Sequence, residues 1–408
     1  MNILIIGGSG NAPSANSVCV RNMARVFVSR GHKVWNLASG EECIKKPGNI
    51  GGAELWQIPR TWYAKFAKST KQNPTFLKVL FFKIISALRH LILLFIYPTA
   101  EPIRSIKVFK KARRLVQDNN IHLVLSIYNN YTNIYCGMML KRMYRDKIKS
   151  VSYHLDLRTE NINASAAVRN YVHKHAMKSI VEESNVVDRI LIPYSGQSDA
   201  ERVKDIALNK IVFVGFPVFI NEGNEETCKL PFDSGFINIS YIGTLSKENR
   251  NPRYFLSLLS SIAEQTDIKL MVHFWGKTGG LETILNESPV ATYHGTVENQ
   301  YVRYILDHSD FVLNIGNAIA YNMLPSKIFG IFATGKPIIN MITHPKDATR
   351  PYFERYNHSI DINEYSMSKD DANTLAAGIL KMKNLPLRDV TGLFDDFKPE
   401  TICDFILM

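Results

Sequence analysis

Runs of apolar residues and their spacing divide this chain into short strands separated by helices. Ile3 to Ile6 is continuous and apolar, as in a strand buried on both faces, and a helical period runs from Ser14 to Ser29 before Gly31 and His32. Further strands are predicted at Lys33–Leu37, Leu123–Tyr128, Ile148–Tyr153, Arg189–Pro193 and Ile211–Gly215. Helices are predicted between them at Ile103–Gln117, Tyr131–Tyr144, Ala164–Asn185 and Ser198–Ala207. The alternation restarts at Ile237–Ile242, a helix begins near Arg253, and strand ends recur at Leu270–Trp275 and Thr292–Val297. Strand Phe311–Ile315, a helix over Ser326–Thr334 closed by Gly335, and strand Pro337–Met341 complete the series. Strands alternating with helices predict parallel α/β sheets.

The stretch Phe216–Gly235 interrupts the pattern: it is polar, holds Pro217 and Pro231, and carries the acidic patch Glu222 to Glu226. With 408 residues and 46% hydrophobic composition, the chain suffices for two cores. The expected organisation is a first domain over 1–215, a hinge over 216–235, a second domain over 236–395 and a tail over 396–408.

One segment breaks the rule that apolar periodicity marks a core. Thr75 to Tyr97 reads TFLKVLFFKIISALRHLILLFIY. On a helix its polar groups Lys78, Lys83, Ser86, Arg89 and His90 share an arc of about 140°, and the rest of the circumference is apolar. Basic groups beside so wide an apolar face argue against a membrane span and suit a helix lying in the headgroup layer.

Charge sharpens that reading. The chain carries a formal +12, and from Arg60 to Arg114 there are thirteen basic residues against Glu101 alone, so this segment holds the entire excess. A concentrated excess implies an anionic partner surface; a membrane is expected rather than nucleic acid. Five cysteines far apart, with no C-x-x-C pair, argue against a disulfide framework or zinc site and for a reducing cytoplasm. The apolar start MNILIIGG reads as a buried strand, not a signal peptide. Gly7, Gly8 and Gly10 follow it without the G-x-G-x-x-G spacing or a placed acidic residue, so a nicotinamide cofactor is not expected.

Candidate chemistry gathers at strand ends. Pro325, Ser326 and Lys327 open the predicted helix, where Ser326 is expected to cap the first amides and Lys327 to neutralise a phosphate. The string Pro325-Ser326-Lys327-Ile328-Phe329, with Ala333-Thr334-Gly335-Lys336-Pro337, resembles the donor-site helix of family-four glycosyltransferases of the GT-B fold. Gly243-Thr244-Leu245 with Lys247 and Arg250 resembles that family's glycine turn and basic phosphate contacts, with Thr244 in place of the usual arginine. Main-chain groups at Gly295, Thr296 and Val297 stand where the family binds the nucleobase. After the strand ending at Tyr153, His154 and the order Asp156-Leu157 then Glu160 resemble the Asp-Leu-Trp-Pro-Glu string of some surface-polysaccharide members, with Arg158 and Thr159 in place of Trp and Pro. The family's paired glutamates fall on Asn322 and Gly330.

The resemblance implies two doubly wound Rossmann-like domains facing a cleft, with a nucleotide-sugar donor (UDP- or GDP-sugar) on the second and an acceptor on the first. His154, Asp156 and Glu160 are then the catalytic candidates. Gly243, Thr244, Lys247, Arg250, Gly295, Thr296, Val297, Pro325, Ser326 and Lys327 are the donor-binding candidates. No D-x-D occurs, so leaving-group charge is expected to meet Lys327 and Arg250 without a metal. The implied activity is retaining hexosyl or N-acetylhexosaminyl transfer to a lipid-linked saccharide, in surface polysaccharide synthesis at the inner face of the cell membrane. Two rivals stand beside it: a nucleotide-sugar epimerase on the same fold, and a non-catalytic assembly partner, which the glycine at 330 favours.

Overall fold

The computed structural model describes residues 1–10, 14–40, 46–59, 61–96, 101–128, 130–155, 166–194, 210–220 and 227–408. Asp156, Glu160 and the helix expected over Ser198–Ala207 lie outside them. The chain divides into two compact units: Met1–Pro217 with Asp396–Met408, and Val218–Asp395.

In the first unit β1 (Asn2–Ile6), β2 (Lys33–Gly40), β3 (Gly48–Ile50), β4 (Ala53–Pro59), β5 (Leu123–Tyr128), β6 (Lys149–His154), β7 (Arg189–Pro193) and β8 (Ile211–Val214) form one sheet in the order β3-β4-β2-β1-β5-β6-β7-β8. All pairs are parallel except β3 with β4. The helices are α1 (Ala15–Ser29), α2 (Trp62–Gln72), α3 (Phe76–Ile96), α4 (Pro102–Asn119), α5 (Tyr131–Tyr144) and α6 (Ala166–Ser184). β1 is an apolar run because both its faces are covered: Ile3, Leu4, Ile5 and Ile6 are all sealed from solvent. Ser14 caps α1 by accepting from Ser17 N. Gly7 must be glycine, since at φ +146° a Cβ there would lie 2.7 Å from Ile127 Cβ on β5.

The sequence pattern missed the β3–β4 hairpin. Gly51 and Gly52, both at positive φ, make the two-residue turn whose twist suits antiparallel strands. The expected tail is a helix, α13 (Pro399–Leu407), built into the first unit. Arg30 pairs with Asp404 at 2.7 Å, and Lys149 and Arg189 donate to the carbonyls of Leu407 and Phe405. These basic groups meet the last carbonyls of a helix, where the dipole favours them.

In the second unit β9 (Ile237–Ile242), β10 (Leu270–Trp275), β11 (Ala291–Tyr293), β12 (Phe311–Ile315), β13 (Ile338–Met341) and β14 (Ser359–Ile362) form an all-parallel sheet in the order β11-β10-β9-β12-β13-β14. Its helices are α7 (Arg253–Gln265), α8 (Glu282–Glu287), α9 (Asn299–His308), α10 (Lys327–Phe332), α11 (Arg350–Tyr356) and α12 (Asp371–Met382). One face packs Ile237, Ile239, Phe274, Leu313 and Met341 against α7 and α12. The other carries a polar ladder that runs from the buried Asn314 and Asn340 to an exposed end: Asn314 donates to Asn340 at 2.9 Å, and Asn340 to Asp361 at 3.1 Å. These positions are in register on three neighbouring strands, which lets each amide satisfy the next.

Candidate functional site

The strand order of the second unit reverses between β9 and β12, so their carboxyl ends adjoin while the chain leaves in opposite directions. Open α/β sheets leave a crevice at such a point. Gly243 follows β9 and Gly276 follows β10; Gly276, at φ +124°, would drive a Cβ into the Gly243 carbonyl. The loop after Gly243 closes on itself through Ser246 and Arg250, whose amides each bond the other's carbonyl at 3.1 and 3.2 Å. Asn249 clips this loop to the one after β12. Its carbonyl accepts from Ala318 N, its Oδ1 from Ile319 N at 3.0 Å, and its Nδ2 donates to Asn317 Oδ1. Arg250 Nε donates to the same Asn317 oxygen at 2.8 Å.

Lys327 completes the corner. Its stem is half-buried, yet Nζ is sealed from solvent and has no hydrogen-bond partner among the described residues. It lies 4.7 Å from the centre of the Tyr241 ring and 3.3 Å from where a Cβ on Gly243 would be. Desolvation, and then the charge of Arg250, hold its ammonium well below the usual lysine range. Burial pushes the Tyr241 hydroxyl up to about 12, opposed by Arg250, and that hydroxyl donates to the Thr244 carbonyl at 3.2 Å. Two basic side chains thus share one corner, where no carboxylate among the described residues offsets the Lys327 charge, an arrangement that fits an anion.

The corner is rigidly backed. On α10, Phe329 packs on Tyr352 and Phe394, and Phe332 on Phe353, Tyr356 and Phe394, with ring centres 4.8 to 5.7 Å apart. Lys327 is the first residue of the helix these rings hold. Gly335, at φ +68°, ends the turn as expected. Helix α10 is shorter than the expected Ser326–Thr334, and Ser326 does not cap it: its backbone is already helical and its side chain bonds no amide. The first amides instead lean on Pro325 and Ser326 carbonyls, which Ile328 N and Phe329 N reach at 3.2 and 3.3 Å. Gly330 faces open space, so a side chain there would meet nothing.

The other expected donor residues are more dispersed. Lys247 is exposed, with its Nζ beside Gly280 in the loop after β10 rather than beside Lys327. Gly295, at φ +76°, follows β11, and its carbonyl accepts from Gly276 N at 2.7 Å. That ties the stretch containing Thr296 and Val297 to the end of β10. Beneath it lies an aromatic stack sequence reasoning overlooked. Trp275 stacks on His294 at 4.8 Å, and His273 bonds His294 at 3.0 Å and Asn238 at 3.1 Å. Burial lowers both imidazoles, His273 to about 4 with the charge of His294 adding to the effect.

On the first unit, His154 ends β6 but is enclosed. Its Nε2 lies 3.1 and 3.2 Å from the two oxygens of Glu183 on α6, which is fully buried, and its ring sits 5.4 Å from Tyr128 on β5. The imidazole joins strand to helix, because a carboxyl group sealed at this depth requires hydrogen-bonding partners. Glu183 had no signal beyond its place in a helical pattern.

No family model and no curated protein matches the chain. Solved structures do. The chain resembles sucrose-phosphate synthase from Thermosynechococcus elongatus at TM-score 0.59 and 12% identity, over 99% of this chain and 97% of that one. It resembles the lipopolysaccharide outer core galactosyltransferase WaaB at 0.57 and 13%, over the whole of both chains. A third match is WaaG, a glycosyltransferase involved in lipopolysaccharide biosynthesis, at 0.57 and 9%, over 100% and 99%. At these identities the likeness shows the fold: two parallel Rossmann-like sheets matching GT-B glycosyltransferase structures.

Proposed function

We propose that this chain transfers a sugar from a nucleotide-diphosphate donor to a saccharide acceptor, with the donor's diphosphate seated between Lys327 and Arg250. The observation that carries the reading is the sealed Lys327 Nζ, with no hydrogen-bond partner among the described residues, beside a second basic side chain at the switch point of a Rossmann sheet. Such a pair meets charge that grows on the leaving diphosphate, so it stabilises the transition state more than the ground state. Because these side chains supply the positive charge, the transfer is read as metal-independent and, by the sequence resemblance, retaining. Thr244 and Gly243 offer main-chain groups to the phosphates; Gly295, Thr296 and Val297 offer them to a uracil or guanine base.

The acceptor is read as a lipid-linked saccharide of a surface polysaccharide such as O-antigen or capsule, handled at the inner face of the membrane. Support comes from the cationic, apolar segment within the first unit, and at fold level from the names of WaaB and WaaG. Asp156 and Glu160 remain the proposed catalytic carboxylates, with His154 held by Glu183 at the strand end before them.

The donor reading is tested by calorimetric titration of UDP and GDP into the protein and into the Lys327→Ala variant. Loss of a charge-assisted contact worth about 1.5 to 3 kcal/mol lowers affinity about tenfold or more. Equal affinity in the two proteins removes the assignment.

A further inference from the structure

Helix α3 turns Ser86 and Arg89 of its polar arc toward α2, leaves Lys78 and Lys83 exposed at the flanks, and faces an apolar stripe outward. Ser86 accepts from the Tyr63 hydroxyl of α2 at 3.1 Å, the Arg89 guanidinium lies 4.3 Å over the Tyr63 ring, and Phe82 packs on Tyr63 and Phe66. On the other side Leu77, Leu80, Phe81, Ile84, Leu88 and Ile92 form an exposed stripe, with Leu77 at 74% and Ile92 still at 60%. Phe66, Leu77, Lys78, Leu80, Phe81 and Ile84 line an open groove of about 400 Å³. A water-facing helix shows the opposite arrangement.

The two ends of this hairpin meet at one carboxylate. Thr61, which caps α2, donates to Glu101 Oε1 at 3.2 Å, and Arg104 on α4 holds Glu101 Oε2 at 3.1 Å while also bonding Ser39 near the end of β2. Glu101 is the only acid between 60 and 114, and it is half-buried and engaged by Thr61 and Arg104. Lys65, Lys68, Lys71, Lys78 and Lys83 on the hairpin, and Lys107, Lys110, Arg113 and Arg114 on α4, are all exposed. Like charges disfavour a second copy of this face as its cover. No helix among the described residues is long and apolar enough to cross a membrane.

We propose that the α2–α3 hairpin is a lipid-docking arm. It lays the stripe from Leu77 to Ile92 among the acyl chains of an anionic monolayer while its lysines stay at the headgroups. The proposal rests on the reading of a lipid-linked acceptor and names the surface that brings the enzyme to it. Insertion leads and charge assists, because Arg89 and Arg104 are turned inward and only the apolar stripe is presented continuously.

The test is flotation with phosphatidylglycerol-containing and pure phosphatidylcholine vesicles, comparing the wild type with the triple variant Phe81→Ser, Ile84→Ser, Leu88→Ser. The wild type should float strongly with anionic vesicles, weakly with neutral ones, and keep part of its binding in high salt. The triple variant should lose at least tenfold in partitioning, with an unchanged melting temperature and unchanged UDP or GDP affinity. Intact nucleotide binding in the variant separates this proposal from the donor reading. Brominated lipid should quench the wild type more than Trp62→Phe, since Trp62 is exposed on α2 and stacked on Phe66. A triple variant that floats like the wild type, a wild type that ignores anionic vesicles at low salt, or a variant that unfolds each overturns the proposal. Self-association of the wild type in sedimentation, lost in the variant, overturns it in favour of a second copy.

Discussion

The two sheets run in the same order through their central strands, β4-β2-β1-β5-β6-β7 in the first unit and β11-β10-β9-β12-β13-β14 in the second, yet their buried charges are handled differently. Among the described residues of the first unit, buried Arg104 meets Glu101 and buried His154 meets Glu183. In the second, Lys327 is sealed against another cation, Arg250. A buried ion with a partner stays buried at modest net cost, whereas one facing a like charge is held at a penalty until an anion arrives. The difference separates brackets that finish a fold from a corner arranged for a ligand.

The largest expected effect breaks the paired side. His154→Ala removes a hydrogen-bonding partner of the fully buried Glu183 and should cost about 3 to 5 kcal/mol in urea denaturation. Replacing both residues by leucine should recover much of that loss. If His154→Ala melts like the wild type, the pair is not the bracket described here. Lys327→Met should do the reverse: removing an unsatisfied buried group worth about 1 to 3 kcal/mol raises the stability of the ligand-free protein. Stability gained where nucleotide affinity is lost is the mark of a functional corner; a destabilised variant would show that Lys327 holds the fold.

Smaller effects sharpen the picture. Asn317→Ala frees Arg250 Nε and Asn249 Nδ2 together, and should weaken UDP or GDP by about 1 kcal/mol, or roughly fivefold, by calorimetry. The smallest concerns pH. His273 and His294 are held below the ordinary value of 6.5 by burial, so the folded protein binds their protons less readily than the unfolded chain. Their contribution is complete above pH 6.5 and is lost as pH falls toward about 4. Denaturation midpoints between pH 7.5 and 4.5 should drop less steeply in His273→Asn than in the wild type. Parallel curves would place the acid sensitivity elsewhere.

Much of this was legible in the chain. The apolar runs located β1, β5, β9 and β12, and Gly335 announced the end of α10, because these depend on local pattern and local backbone geometry. Lys327 was nominated by its place at a helix start and Arg250 by resemblance, and the structure brings them close enough for the charge of Arg250 to act on Lys327. What was hidden depends on neighbours distant in sequence. Asn249 and Asn317 matter only once β9 and β12 adjoin, and no periodicity states strand order. Glu183 reads as one more polar residue on a helix until His154 is set beside it. Ser326 has the composition of a cap and does not act as one, since Pro325 delivers it already helical. The wheel of α3 did not say which side would face α2: contacts from Tyr63 bring Ser86, Arg89 and the apolar Phe82 to that side and leave Lys78 and Lys83 exposed. The Gly51-Gly52 turn was a readable hairpin signal left unused.

The central claim, that the sealed Lys327 side chain, without a hydrogen-bond partner among the described residues, receives a diphosphate, meets its most direct test in calorimetry of UDP and GDP binding, run in buffers of different ionisation enthalpy from pH 7.5 to 9.5. A phosphate beside Lys327 favours its charged form, so binding should take up a proton and affinity should fall as pH rises through the depressed lysine value. Lys327→Met should abolish the proton uptake and weaken binding at least tenfold. Equal affinity in Lys327→Met, with the same proton balance as the wild type, would contradict the account.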